Sequence, residues 1–296
     1  MARDDAQKHE GKAIAIEAEG AILSGRLFAP DGPPRAAVLL SGATGVAQRY
    51  YRDFARWLVE RHGTAVLTYD YRDFGASATG PMRASRATMT DWAVRDPQAA
   101  RDRLAALYAD APLWVIGHSL GALALPLQRR LEGIARIVAV ASGPVHLSDH
   151  PWRYRPIATA FWYGPHRLAT SILGYLPGRR LGFGADLPSG VYRQWRRWCT
   201  SRDFYVRELG TTLPTPAAVP PSCPLHLVAV ADDPMIPPHA MWRLSAAYPE
   251  TAQSRTVLRP AAYGLPRIGH LGAFHRNARA CWGDLIASDE ASASGW

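Results

Sequence analysis

The segment VIGHSLGALALPL, residues 115–127, decides how this chain is read. An apolar run suited to a buried strand ends at Gly117-His118-Ser119-Leu120-Gly121, and a helix-like run rich in leucine and alanine follows. A serine held on a sharp strand-to-helix turn has a strained backbone, and bulky side chains two residues to either side would collide. Gly117 and Gly121 meet that demand. Such a turn projects Ser119 Oγ outward and aims the Leu120 N–H at an oxyanion, while the helix N-terminus adds positive potential.

A serine hydroxyl is a weak nucleophile, so this chemistry needs a general base and a carboxylate to orient it. In LVAVADDPMIPPHA, residues 227–240, an apolar strand runs straight into Asp232-Asp233. In PRIGHLGAFH, residues 266–275, a glycine-rich loop carries His270 ahead of the last helical stretch. The order Ser, Asp, His is the chain order of an α/β-hydrolase triad. His275 is the rival base, His118 reads as packing or as a support behind the site, and His226 reads as a satisfied core or surface histidine.

Outward from these segments, strand and helix patterns alternate. AIAIEAEG and AILSGRLFAP read as two strands joined at Glu19-Gly20, and AAVLLSGATG (36–45) reads as a buried central strand. QRYYRDFARWLVERHG (48–63) places Tyr51, Phe54, Leu58 and Val59 on one helical face before a glycine stop. Further helices are expected over residues 88–108, 120–133 and 271–286, with a kink or boundary at Pro97 and Pro126. Strands are expected at 64–70, 113–117, 135–143, 225–230 and 255–259. This alternation predicts an α/β fold with a mostly parallel central sheet and helices on both faces. Residues 147–221 carry helical and aromatic segments without a strand pattern, and predict a helical lid inserted into a core formed by 1–146 and 222–296.

The chain has 296 residues with a formal charge of +9, yet its arginines are scattered rather than clustered in a nucleic-acid footprint. The polar first residues lack a signal-peptide core, no apolar run is long enough to span a membrane, and Cys199, Cys223 and Cys281 read as reduced and mostly buried. A cytoplasmic protein is the expectation. No metal-ligand spacing and no nucleotide-binding glycine pattern occurs, so neither metal nor cofactor is implied.

The elbow, YDYRDFGAS (Asp70-x-Arg72-x-x-Gly75-x-Ser77), ADDPMIP and GHLGAF together resemble the α/β-hydrolase superfamily over nearly the whole chain. SGATGVAQRYYRDFARWLVERHG, PGRRLGFGADLPSG and RIGHLGAF look like an uncharacterised group near its serine aminopeptidase-like and lysophospholipase-like branch. The resemblance implies Ser119 as nucleophile, His270 as base and Asp233 as acid, Asp233 being preferred over Asp232 because Pro234-Met235-Ile236-Pro237 follows it. It also implies backbone N–H groups of Leu120 and Ala43 as the oxyanion hole, with Thr44 as the alternative to Ala43. Many relatives have His-Gly where this chain has Ser41-Gly42, and glycine where it has Asp73.

The implied function is a serine hydrolase acting on an ester or thioester through an acyl-enzyme, with a small molecule as partner. An acyltransferase using the same acyl-enzyme, and a non-catalytic binding protein on this fold, are the alternatives. Arg72 reads as a loop tie rather than a substrate ligand. Trp152, Trp162, Tyr163, Trp195 and Trp198 read as lid core, and Arg193, Arg196 and Arg197 beside them offer a secondary contact for anionic lipid or a CoA-like phosphate.

Overall fold

In the computed structural model, which describes residues 10–217, 221–249 and 251–287, eight strands form one sheet. The polar ends, including residues 1–9 and 288–296, lie outside the described residues. The strands are β1 (Lys12–Ala18), β2 (Ala21–Phe28), β3 (Ala37–Ser41), β4 (Ala65–Tyr69), β5 (Leu113–His118), β6 (Ile134–Val140), β9 (Leu225–Val230) and β10 (Gln253–Leu258). Their spatial order is β1-β2-β4-β3-β5-β6-β9-β10. The β1–β2 hairpin turns at Gly20 in the left-handed region, and β2 pairs antiparallel to β4. Every pairing from β4 to β10 is parallel.

β3, β4 and β9 are buried at every residue, as mainly apolar strands covered on both faces must be, with Ser41, Thr68 and His226 as their buried polar members. One face of the sheet is covered by α1 (Arg52–His62) and by α9 (Trp282–Ile286), where Tyr51, Phe54, Trp57 and Leu58 meet Phe274 and Trp282. Gly63 ends α1 in the left-handed conformation, φ 60°, which only glycine adopts cheaply. Val59, expected on the buried face, packs only at its margin, and Trp57 takes the inward position. The opposite face carries α2 (Asp96–Leu107) and α3 (Leu120–Leu123).

The boundaries differ from the expected ones for local reasons. The expected helix over 88–108 opens as a π-turn at Asp91–Arg95, and α2 begins with Pro97 in its first turn, where a missing N–H costs nothing. The helix expected over 120–133 stops after α3, because Pro126 cannot continue the ladder and a 3₁₀ turn, Leu125–Leu127, takes over. The last helix is likewise divided into α8 (Gly269–Gly272), a 3₁₀ stretch at Arg276–Cys281, and α9, with α7 (Pro238–Met241) preceding β10.

Between β6 and β9 lie α4 (Arg155–Tyr163), α5 (Pro165–Leu173) and α6 (Ser189–Thr200). They are joined by a strand pair that the sequence pattern did not suggest, β7 (Tyr175–Leu176) with β8 (Leu187–Pro188). Two residues per strand leave no alternation to read. Gly178 permits this ribbon, since a Cβ there would lie 1.9 Å from the Ala185 carbonyl oxygen.

Candidate active site

Ser119 sits between β5 and α3 at φ 54°, ψ −114°, a conformation that non-glycine residues rarely hold and that the surrounding packing must enforce. A Cβ at Gly117 would come within 2.4 Å of the Ala122 nitrogen, and one at Gly121 within 2.1 Å of the Ser41 carbonyl oxygen. The flanking glycines are thus dictated by close approach to backbone. The Ser119 N–H donates to Val140 O of β6, which ties the turn to the sheet.

Ser119 Oγ lies 3.1 Å from His270 Nε2, and His270 Nδ1 lies 2.7 Å from Asp233 Oδ2. Asp233 is buried, and its other oxygen accepts from the Met235 and Ile236 N–H groups at 2.7 and 3.1 Å. These donors hold the carboxylate in one orientation, leaving Oδ2 for the imidazole. The neighbouring Asp232 points elsewhere and accepts from the Ile268 and Gly269 N–H groups, 3.1 and 2.9 Å. One carboxylate of the pair therefore faces the His270 ring while the other fastens the loop that carries it.

The histidines sort themselves by their partners. His275 Nδ1 accepts from the Asn277 N–H and caps the following 3₁₀ turn, and His226 on β9 pairs with Ser254 Oγ at 2.7 Å. His118 is wholly buried, with Nε2 2.8 Å from the His270 carbonyl oxygen and Nδ1 2.9 Å from Tyr51 Oη. A carbonyl only accepts, so Nε2 carries the proton and Nδ1 accepts from the Tyr51 hydroxyl. Tyr51 Oη in turn accepts from the Ala43 N–H at 2.8 Å. The chain Ala43 to Tyr51 to His118 to His270 thus links the loop after β3, the 3₁₀ turn that leads into α1, the elbow and the histidine loop. Tyr51 was legible only as a core aromatic, because nothing in its spacing reveals where its hydroxyl goes.

This network revises one expectation. The Ala43 N–H, expected to face an oxyanion, is occupied by Tyr51. Among the described residues the N–H groups of Leu120 and Thr44 have no protein acceptor, and both residues line the cavity beside Ser119.

Burial lowers the His118 pKa from 6.5 to about 3, with the nearby His270 adding to the effect, so the ring stays neutral. The unfolded chain takes up a proton at this residue below pH 6.5 that the folded chain refuses. The stability tied to His118 is therefore complete above pH 6.5 and lost as the pH falls toward 3, by up to about 1.4 kcal/mol per pH unit. Urea midpoints at pH 7.5 and pH 5 should fall more steeply for the wild type than for His118→Gln; parallel slopes would contradict the neutral, buried assignment.

The cavity holding Ser119 and His270 has a volume of about 760 Å³. Its walls include Leu123 and Val145 from the sheet side and Phe161, Trp162, Trp195 and Phe204 from the segment between β6 and β9, with Arg49, Arg52, Asp53 and Arg276 also lining it. Cys199 lies in the same wall, buried, and burial pushes its thiol pKa far up, so it offers no thiolate to the cavity. All three cysteines are free and buried. Among the described residues there is no cluster of His, Cys, Asp or Glu able to hold a metal ion.

Other expected roles resolve around this cavity. Arg72 pairs with Asp96 at 2.7 Å and Asp91 at 3.3 Å and donates to Glu19 O, so it ties loops together. Asp73 adopts φ 57°, filling the left-handed position without glycine, and its carboxylate accepts from the Ser85 hydroxyl. Trp162, Trp195 and Trp198 pack inward, whereas Trp152 and Tyr163 are exposed. Arg197 is paired with Glu208, and Arg196 lies over the Tyr163 ring, so these two are not a free cationic patch.

Residues 37–281 match the model of the alpha/beta hydrolase family. The chain belongs to this family. No curated protein matches the sequence. Among solved structures, this hydrolase-family chain is similar to an esterase from Pyrococcus furiosus, with 16% identity, TM-score 0.58, and 96% and 92% of the two chains covered. It is also similar to an enol-lactonase from Burkholderia xenovorans (17%, TM-score 0.57, 92% and 98% covered). A thermophilic esterase from Thermogutta terrifontis gives 15% identity and TM-score 0.55, with 91% and 95% covered. Likeness at this level is likeness of fold.

Proposed function

We propose that the protein is a serine hydrolase that cleaves an ester or thioester carrying an apolar acyl chain. The observation that carries this reading is the line Ser119 Oγ, His270, Asp233, with contacts of 3.1 and 2.7 Å, beside a cavity that Ser119 and His270 line together with aromatic and aliphatic side chains. His270 Nε2 takes the Ser119 proton as Oγ attacks the carbonyl carbon, and Asp233 fixes the tautomer and stabilises the imidazolium. The tetrahedral oxyanion is held by the N–H groups of Leu120 and, since Tyr51 occupies Ala43, of Thr44. Its collapse breaks the bond to the leaving oxygen or sulfur, which takes the proton back from His270. Water, deprotonated by His270, then attacks the acyl-enzyme and frees the acid and Ser119. No step calls for a cofactor.

Residues 147–221 act in this reading as a cap whose aromatic side chains wall the acyl pocket. Three free buried cysteines suit a reducing compartment, and we place the protein in the cytoplasm. Each methylene that enters the apolar wall is worth about 0.8 kcal/mol, or roughly fourfold in kcat/KM. Hydrolysis of p-nitrophenyl esters from acetate to decanoate should therefore rise with chain length to an optimum beyond butyrate. A profile that falls steadily from acetate would overturn the acyl-pocket assignment.

A further inference from the structure

The helix pair α4 and α5 turns several large apolar side chains to the surface. In α5, Leu168 and Ile172 share one face at i, i+4 spacing and are 63% and 72% exposed, while Thr170 is buried and donates to the His166 carbonyl. In α4, Ile157 is 60% exposed although Ala158 and Trp162 pack inward, and Trp152 just before it is 72% exposed. Of the ten large apolar side chains most exposed among the described residues, six fall between Trp152 and Leu173. Scattered exposed leucines need no explanation, but a concentration of this kind marks a surface that something covers.

Two observations say what covers it. The first is charge: from His150 to Ala185 the chain carries Arg153, Arg155, Arg167, Arg179 and Arg180 and no aspartate or glutamate. Among the described residues only Arg179 of these five reaches a carboxylate, Asp186 at 3.8 Å. A second copy of this face would set arginine against arginine, so self-association through it is disfavoured. The second is continuity: Ile157, part of the exposed set, also lines the cavity that holds Ser119. The apolar surface and the apolar pocket meet at that residue.

We propose that α4 and α5 dock on an anionic lipid surface, with Trp152, Ile157, Leu168 and Ile172 entering the interface and Arg153 and Arg167 facing the headgroup charge. Tryptophan and aliphatic residues flanked by arginine have the composition of a helix that lies in the membrane plane. Anionic headgroups attract each nearby arginine, and salt weakens that attraction. Docking there would set the mouth of the cavity against the phase in which long-chain esters partition.

The test is co-sedimentation of the full chain with phosphatidylcholine vesicles, pure or with about 30% phosphatidylglycerol. Leu168→Asp/Ile172→Asp and Arg153→Glu/Arg167→Glu are compared with the wild type. These four side chains lie outside the catalytic cavity, and circular dichroism and melting verify the fold. The wild type is expected to bind the anionic vesicles, more weakly in high salt, and each double variant to bind at least about tenfold less tightly. Hydrolysis of a soluble short-chain ester should be unchanged in both. Absence of wild-type binding, or binding that both variants retain, overturns the proposal. So does a dimer seen by sedimentation velocity that Leu168→Asp/Ile172→Asp abolishes, which would assign the face to a second copy. Vesicle binding is scored without turnover, so its failure is distinct from a failure of the proposed hydrolysis.

Discussion

Ser119→Ala is expected to lower kcat/KM toward p-nitrophenyl esters by about 10⁵- to 10⁶-fold while leaving the fold intact. The size follows from the loss of covalent catalysis, which no neighbouring side chain can replace. Cys199, the one thiol in the cavity wall, is buried and held protonated. The oxyanion donors and the binding wall survive the substitution, so a residual rate above that in water should persist. Alanine at φ 54° carries about the same backbone strain as serine, and the lost contact to His270 is a single hydrogen bond. The melting temperature should accordingly move by only a few degrees. Progress curves at high enzyme concentration and thermal melts check both statements, and a variant with wild-type turnover would refute the nucleophile assignment.

The two adjacent aspartates should differ by about three orders of magnitude. Asp233→Asn is expected to cost about 10⁴-fold in kcat, because the amide would keep its oxygen on the Met235 and Ile236 N–H groups and turn its NH₂ toward His270 Nδ1. That forces the proton onto Nε2, where it blocks acceptance of the Ser119 proton. Asp232→Asn has no such tautomeric consequence. Its one carbonyl oxygen can keep either the Ile268 or the Gly269 N–H, so the histidine loop loosens and kcat falls by about tenfold or less. Steady-state kinetics on the two variants separate these roles. Equal losses would mean that the neighbouring carboxylates act together and that the orientation assigned to Asp233 is wrong.

The proximity of Ser119, His270 and Asp233 was legible as a candidate site because each sits on a local device with a sequence signature: glycines around a strained serine, a strand running into a carboxylate, a glycine-rich loop before a helix. Parallel strands such as β3 and β9 were legible as mainly apolar runs for an equally local reason, burial on both faces. What escaped depends on tertiary contacts. No pattern tells that the Ala43 N–H will find Tyr51 Oη eight residues on, or that His118 will spend both ring nitrogens inside a network. The exposure of Leu168 and Ile172 on one face of α5 was not legible either, because apolar spacing reports that a face is apolar and not what covers it. The β7–β8 ribbon escaped for a different reason, since its strands are too short to carry a period.

Whether Ser119 is a nucleophile activated by His270 is decided by intact-mass analysis after incubation with a fluorophosphonate. One adduct per wild-type chain is expected, on the peptide that carries Ser119, and none in Ser119→Ala. A folded wild type that stays unmodified under excess reagent, or an adduct that persists in the variant, would contradict that role.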